Sequence, residues 1–100
     1  MLAHLPIIIL TSLHPTPVAD TVPKFEIARE CQFEGGTKAM QERCVADESQ
    51  ARDQLQKEWA QFAPASRAQC YEETNTDSTP SYVEFLTCLE MARDVKNAQK

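Results

Sequence analysis

Four cysteines, Cys31, Cys44, Cys70 and Cys88, stand behind an apolar N-terminal run that ends before the first of them. An even cysteine count in so short a chain, preceded by such a run, reads as a disulfide framework in an exported protein. The run at 5–13, Leu-Pro-Ile-Ile-Ile-Leu-Thr-Ser-Leu, has the length of a signal-peptide hydrophobic region and is too short to span a bilayer. Small and polar residues follow it, and Val18-Ala19 before Asp20 is a plausible cleavage point. Two features depart from the usual leader: no Lys or Arg precedes Lys24, and Pro17 occupies the third position before the cut. The competing reading is an apolar N-terminus in a cytosolic protein, which predicts free thiols. The expected organisation is a signal peptide at 1–19 and a single four-cysteine domain at 20–100, in the periplasm or secreted, with no membrane anchor once the leader is removed.

The full chain has 100 residues and a formal net charge of −5. No charged residue falls in the leader, so the mature domain keeps all of that charge. An acidic domain is a poor match for nucleic acid or an anionic membrane surface and a better one for a basic protein. Its large apolar residues are few, chiefly Phe25, Ile27, Phe33, Met40, Leu55, Trp59, Phe62, Tyr71, Tyr82, Phe85, Leu86, Leu89 and Met91. A domain this small is marginal on apolar burial alone, and cross-links are the usual remedy.

From Lys24 onward the pattern is helical. The only glycines, Gly35 and Gly36, mark a turn. A short helix is expected before them, over about 24–33, and the longest periodic stretch after them, over about 37–62. On that second helix Met40, Cys44, Ala51, Leu55 and Phe62 fall within an arc of about 60°, with Trp59 beside it. Pro64 disfavours helical geometry at Ala63 and suits the first turn of a third helix, about 64–74, with Ala68, Cys70 and Tyr71 available to pack. Ser81 and Glu84 then make a Ser-x-x-Glu capping box, with Pro80 and Phe85 placed for a hydrophobic staple, and open a fourth helix to about 96. Its packed face carries Tyr82, Phe85, Leu89 and Ala92, with Cys88 at the edge. The fold class is therefore all-α, a small disulfide-stapled bundle of three to four helices.

Four cysteines admit three pairings, and their order in the sequence does not choose among them. Helix geometry helps. Cys31 and Cys44 flank the Gly-Gly turn, and Cys70 and Cys88 flank the polar connection. At 1.5 Å of rise per residue each pair can reach the roughly 6 Å Cα separation a disulfide needs. This favours Cys31–Cys44 with Cys70–Cys88 over the nested Cys31–Cys88 with Cys44–Cys70. Each local closure is worth about 3 kcal/mol in the chain-entropy model. Zinc is disfavoured, because four-cysteine sites use close C-x₂₋₄-C pairs and no two cysteines here are nearer than Cys31 and Cys44. No Cys-x-x-Cys is present to suggest redox exchange.

Both histidines, His4 and His14, lie in the leader. A mature chain without histidine lacks the commonest general base and every Ser-His or Cys-His arrangement. Among the carboxylates, the pair Asp47-Glu48 merits a look, since Glu48 falls roughly 80° around the helix from Met40, near the apolar stripe. An exposed carboxylate is the leading expectation there; if Glu48 is buried it needs a partner, for which Arg67 or Arg93 is the candidate, and a structural ion pair is favoured over catalysis. Trp59 is expected to anchor the core. The chain is expected not to be an enzyme and to hold no cofactor or metal.

Trp59 precedes Arg67-Ala68-Gln69-Cys70, a polar spacer leads to Cys88-Leu89 and Arg93, and Gln41 and Cys44 form Gln-x-x-Cys ahead of an amphipathic stretch. In these features residues 31–93 resemble the small four-cysteine helical domain of the LprI-type lysozyme inhibitor family, exported bacterial proteins. The chain departs from that pattern in its short segment between the cysteine pairs, and it carries Thr79-Pro80-Ser81 where a Gly-Ser element usually precedes the last cysteine. The resemblance implies a helical disulfide scaffold, a basic cell-wall hydrolase as partner, and structural roles for the four cysteines.

Two functional expectations follow. In the first the chain is an exported binding module, lysozyme-inhibitor-like, whose partner-binding loop is the connection Thr74, Asn75, Thr76, Asp77, Ser78, Thr79, Pro80 and Ser81. A rigid, cross-linked loop loses less entropy on docking. In the second it is a structural or stress-related envelope protein that self-associates through its apolar faces and has no hydrolase target.

Overall fold

The computed structural model describes residues 21–76 and 79–98. The expected signal peptide at 1–19 and the loop residues Asp77 and Ser78 lie outside the described residues. The order of elements is α1 (Ile27–Glu34), α2 (Lys38–Glu58), a single 3₁₀ turn at Trp59–Gln61, α3 (Pro64–Thr74) and α4 (Tyr82–Ala98). There is no strand among the described residues. The chain is an all-α, disulfide-stapled bundle.

Local chemistry explains the helix limits. Gly35 and Gly36 both adopt positive φ, 72° and 93°, which glycine accepts without Cβ strain. Thr37 then caps α2, its Oγ1 accepting the Met40 amide at 3.1 Å. Ala63 is extended, and Pro64 opens α3 at its first turn, where the missing N–H costs nothing. At the other end of α3, the Asn75 and Thr76 side chains donate to the carbonyls of Tyr71 and Glu72 at 3.0 and 3.1 Å, satisfying acceptors the helix leaves free.

The first helix begins at Ile27, three residues later than the sequence pattern suggests. Tyr82 accounts for this: its hydroxyl accepts the Phe25 amide at 2.8 Å and donates to the Pro23 carbonyl at 2.9 Å. Both backbone groups are thereby committed to α4 instead of to a helical turn. The Phe25 ring packs on the same residue, 4.7 Å from the Tyr82 centroid.

Disulfides join Cys31 to Cys44 and Cys70 to Cys88, with Cα separations of 5.6 and 5.7 Å. Each lies within a helical hairpin, α1 with α2 and α3 with α4. The hairpins meet where α2 packs on α4, and no cross-link spans that seam. It is closed by the core: Ala51, Leu55, Trp59 and Phe62 from the second helix and its 3₁₀ extension, against Tyr82, Phe85, Leu86 and Leu89 of α4, with Cys70 from α3. Phe85 and Leu89 are fully buried, and Trp59 meets Phe85 edge-on at 5.8 Å. Fully burying a Leu or Phe is worth roughly 1.5–3 kcal/mol, so these few side chains carry the association of the hairpins.

The stripe expected on α2 is shorter than its periodicity implies. Ala51 and Leu55 are buried, but Met40 is 60% exposed. The first turns of α2 pack only on the short α1, whose cross-link at Cys44 covers less of the stripe than a long helix would. Ala68 is likewise exposed on α3, where Cys70 and the half-buried Tyr71 face the core.

Candidate functional site

The buried polar centre of the molecule lies where α2 passes the start of α4. Glu48, Thr74 and Ser81 are 4%, 4% and 3% exposed. The Ser81 hydroxyl donates to Glu48 Oε2 at 2.5 Å, and the Tyr82 amide donates to Glu48 Oε1 at 2.7 Å. Ser81 Oγ also accepts the Glu84 amide at 3.2 Å, the forward half of the expected capping box. The return half differs from the expectation. The Ser81 amide donates to Thr74 Oγ1 at 3.1 Å, so Glu84 does not take it. Thr74 Oγ1 in turn lies 3.3 Å from the Ser81 carbonyl and 3.5 Å from Glu84 Oε1.

This corrects both expectations for Glu48: it is buried and not exposed, and its partner is the start of a helix and not an arginine. A helix N-terminus presents unsatisfied N–H groups and positive potential, and both favour a carboxylate. Arg93 pairs instead with Glu58 at 2.8 Å and lies over the Phe62 ring at 4.9 Å. Arg67 donates from Nε to the Phe62 carbonyl at 3.0 Å and sits 5.0 Å above Trp59. Asp47, next to Glu48, is exposed.

Electrostatics at this centre are lopsided toward negative charge. Glu30 of α1 is 5% exposed, and its Oε1 has no hydrogen-bond partner. Burial pushes the Glu30 carboxyl above its ordinary range, partly opposed by the Thr79 side chain and reinforced by Glu34 and Glu48. Hydrogen bonds from Arg93 and Gln54 hold Glu58 below its ordinary range, and Glu58 raises Arg93 in return. No group of three or more His, Cys, Asp and Glu among the described residues is placed to hold a metal ion.

The described residues of the connection 74–81 divide between the interior and the surface. Thr74 and Ser81 are buried in the cap network, Thr79 and Pro80 are half-buried, and Asn75 and Thr76 are exposed while they close α3. The four cysteines come together as two pairs and not as one site.

A surface missed by the sequence reading lies on α4. Val83, Met91 and Val95 are 39%, 63% and 58% exposed, opposite the buried Tyr82, Phe85 and Leu89. At four-residue spacing, Val83, Thr87, Met91 and Val95 run along one side of the helix. With Glu73 of α3, Glu84 and Cys88, the first three line an open groove of about 370 Å³. The signal was present as a second apolar register in α4, masked by the stronger core register. No protein-family model matches the chain, and neither a curated protein nor a solved structure matches it.

Proposed function

We propose that this chain is an exported, non-catalytic binding module that captures a basic protein, with a cell-wall hydrolase of the lysozyme type as the leading partner. The Cys70–Cys88 staple is the observation that carries the reading. It locks α3 to α4 beside an acidic surface, which suits rigid docking more than chemistry. Two disulfides with no free cysteine suit an oxidising, extracytoplasmic compartment, and the periplasm or the exterior is the proposed location. No helix among the described residues is long and apolar enough to cross a membrane. The net charge of −5 favours encounter with a cationic partner. The likeness of the cysteine spacing to the LprI-type inhibitors supplies the choice of hydrolase.

The test is lysis of a bacterial cell-wall suspension by a basic lysozyme in the presence of the refolded, oxidised chain. Slowing at micromolar concentrations is expected. An unchanged rate throughout that range removes the inhibitor reading.

A further inference from the structure

We infer that the outward face of α4, the stripe Val83, Thr87, Met91 and Val95 with its acidic border, docks a cationic protein segment that presents apolar side chains between lysines or arginines. The inference deepens the binding-module reading and rests on it, but it names a surface and a partner chemistry which that reading leaves open. Three observations carry it. Met91 and Val95 are more than half exposed in a protein with few large apolar residues, so this apolar area is not surplus from a generous core. The groove beside Met91 offers room for one or two side chains and is backed by the Cys70–Cys88 cross-link, so its walls are fixed in advance. The charge around it has one sign.

Charge selects the occupant. At 100° per residue, Glu84 and Asp94 fall within the same arc as the stripe, and Glu73 reaches the groove from α3. The cations of α4 turn elsewhere: Arg93 pairs with Glu58 of α2, and Lys96 lines a separate groove with Gln61 and Phe62. A second copy of this chain would set one acidic border against another, which is unfavourable. A basic segment with an apolar anchor meets both the stripe and its border, the helix-in-groove mode of recognition.

The test uses the full oxidised chain and two synthetic helical peptides, both with leucines at i, i+3, i+4 and i+7. One carries lysine at the remaining positions and the other glutamate. Amide shifts in NMR titrations should cluster at Val83, Glu84, Thr87, Met91, Asp94 and Val95 with the lysine peptide and be absent with the glutamate peptide. Met91→Ala should weaken the lysine peptide about tenfold, the loss of one buried apolar anchor. Glu84→Lys with Asp94→Lys should weaken it further, and Phe33→Glu on the opposite hairpin should leave it unchanged. All these side chains are exposed, and an unchanged circular dichroism spectrum confirms the fold. Equal binding of both peptides, shifts centred elsewhere, no shifts, or a dimer formed through α4 would each overturn the inference. The lysis assay fails independently: no inhibition alongside shifts on α4 removes the hydrolase and keeps the face. Inhibition that survives Met91→Ala puts docking elsewhere and keeps the module.

Discussion

Glu48 of α2 caps α4 from across the seam between the two hairpins, taking the Ser81 hydroxyl at 2.5 Å and the Tyr82 amide at 2.7 Å. Each disulfide secures one hairpin, so this carboxylate joins the Arg93–Glu58 pair and the Tyr82 hydroxyl's bonds to Pro23 and Phe25 as a polar tie across a seam that no disulfide spans. Both of its oxygens are used, and it sits where the helix dipole favours negative charge. Glu48→Ala should destabilise the fold by about 2–3 kcal/mol, because it strands a buried hydroxyl and amide. Chemical denaturation of Glu48→Ala, Ser81→Ala and the double variant should show a coupling of about 1 kcal/mol or more. Additive losses would mean that the two residues act separately.

Glu30 should respond to pH in the opposite sense to most carboxylates. Its folded-state pKa is raised above the ordinary value of 4.5, chiefly by burial. The folded state therefore binds the proton more tightly. Glu30's contribution is most favourable below the unfolded value and is lost as pH rises through the folded one. Glu30→Gln should stabilise the protein at pH 7, because it removes a buried negative charge while keeping the side chain's shape. Melting curves of the two proteins should converge as the pH falls below 4.5. A constant offset across that range would contradict the assignment.

Glu58 has the contrary sign. Its lowered pKa, caused first by the Arg93 hydrogen bond and then by Gln54, gives stability present above the unfolded value and lost as pH falls through the folded one. The pair is partly solvated, so Arg93→Met should cost less than Glu48→Ala, and added salt should lower the cost of Arg93→Met further. A salt-independent loss as large as that of Glu48→Ala would assign Arg93 a buried structural role instead.

Gly35 combines φ 72° with ψ −153°, a region open in practice only to glycine. A Cβ there meets nothing within 4 Å, so strain and not crowding decides the outcome. Gly35→Ala should cost about 1–3 kcal/mol in thermal unfolding. A neutral result would show that the turn can change its geometry without loss.

Much of this architecture was legible because single residues fix local geometry. Gly35-Gly36, Ala63-Pro64 and the Ser81 cap each act within a few residues, and the helix limits follow them. The late start of α1 was not legible, because the Tyr82 hydroxyl holds Pro23 and Phe25 from the far end of the chain. Periodicity placed Glu48 near the buried stripe correctly. It could not show that a helix terminus would supply the partner, because that terminus is an arrangement of backbone and not a residue type. Met40 misled for a related reason: it continues the stripe, but no long helix lies over it. The outward stripe on α4 was overshadowed because one helix carries two apolar registers and only packing tells them apart.

Two local cross-links are the claim on which fold, compartment and rigidity all depend, and disulfide mapping of the native, unreduced protein by mass spectrometry tests it most directly. Trypsin leaves Cys70 and Cys88 on one peptide, since no Lys or Arg lies between Arg67 and Arg93, so cleavage after glutamate is needed to separate them. The predicted result is no free thiol, with Cys31 linked to Cys44, Cys70 linked to Cys88, and an N-terminus near Asp20. Four free thiols, or a link between the Cys31–Cys44 hairpin and the Cys70–Cys88 hairpin, would contradict it.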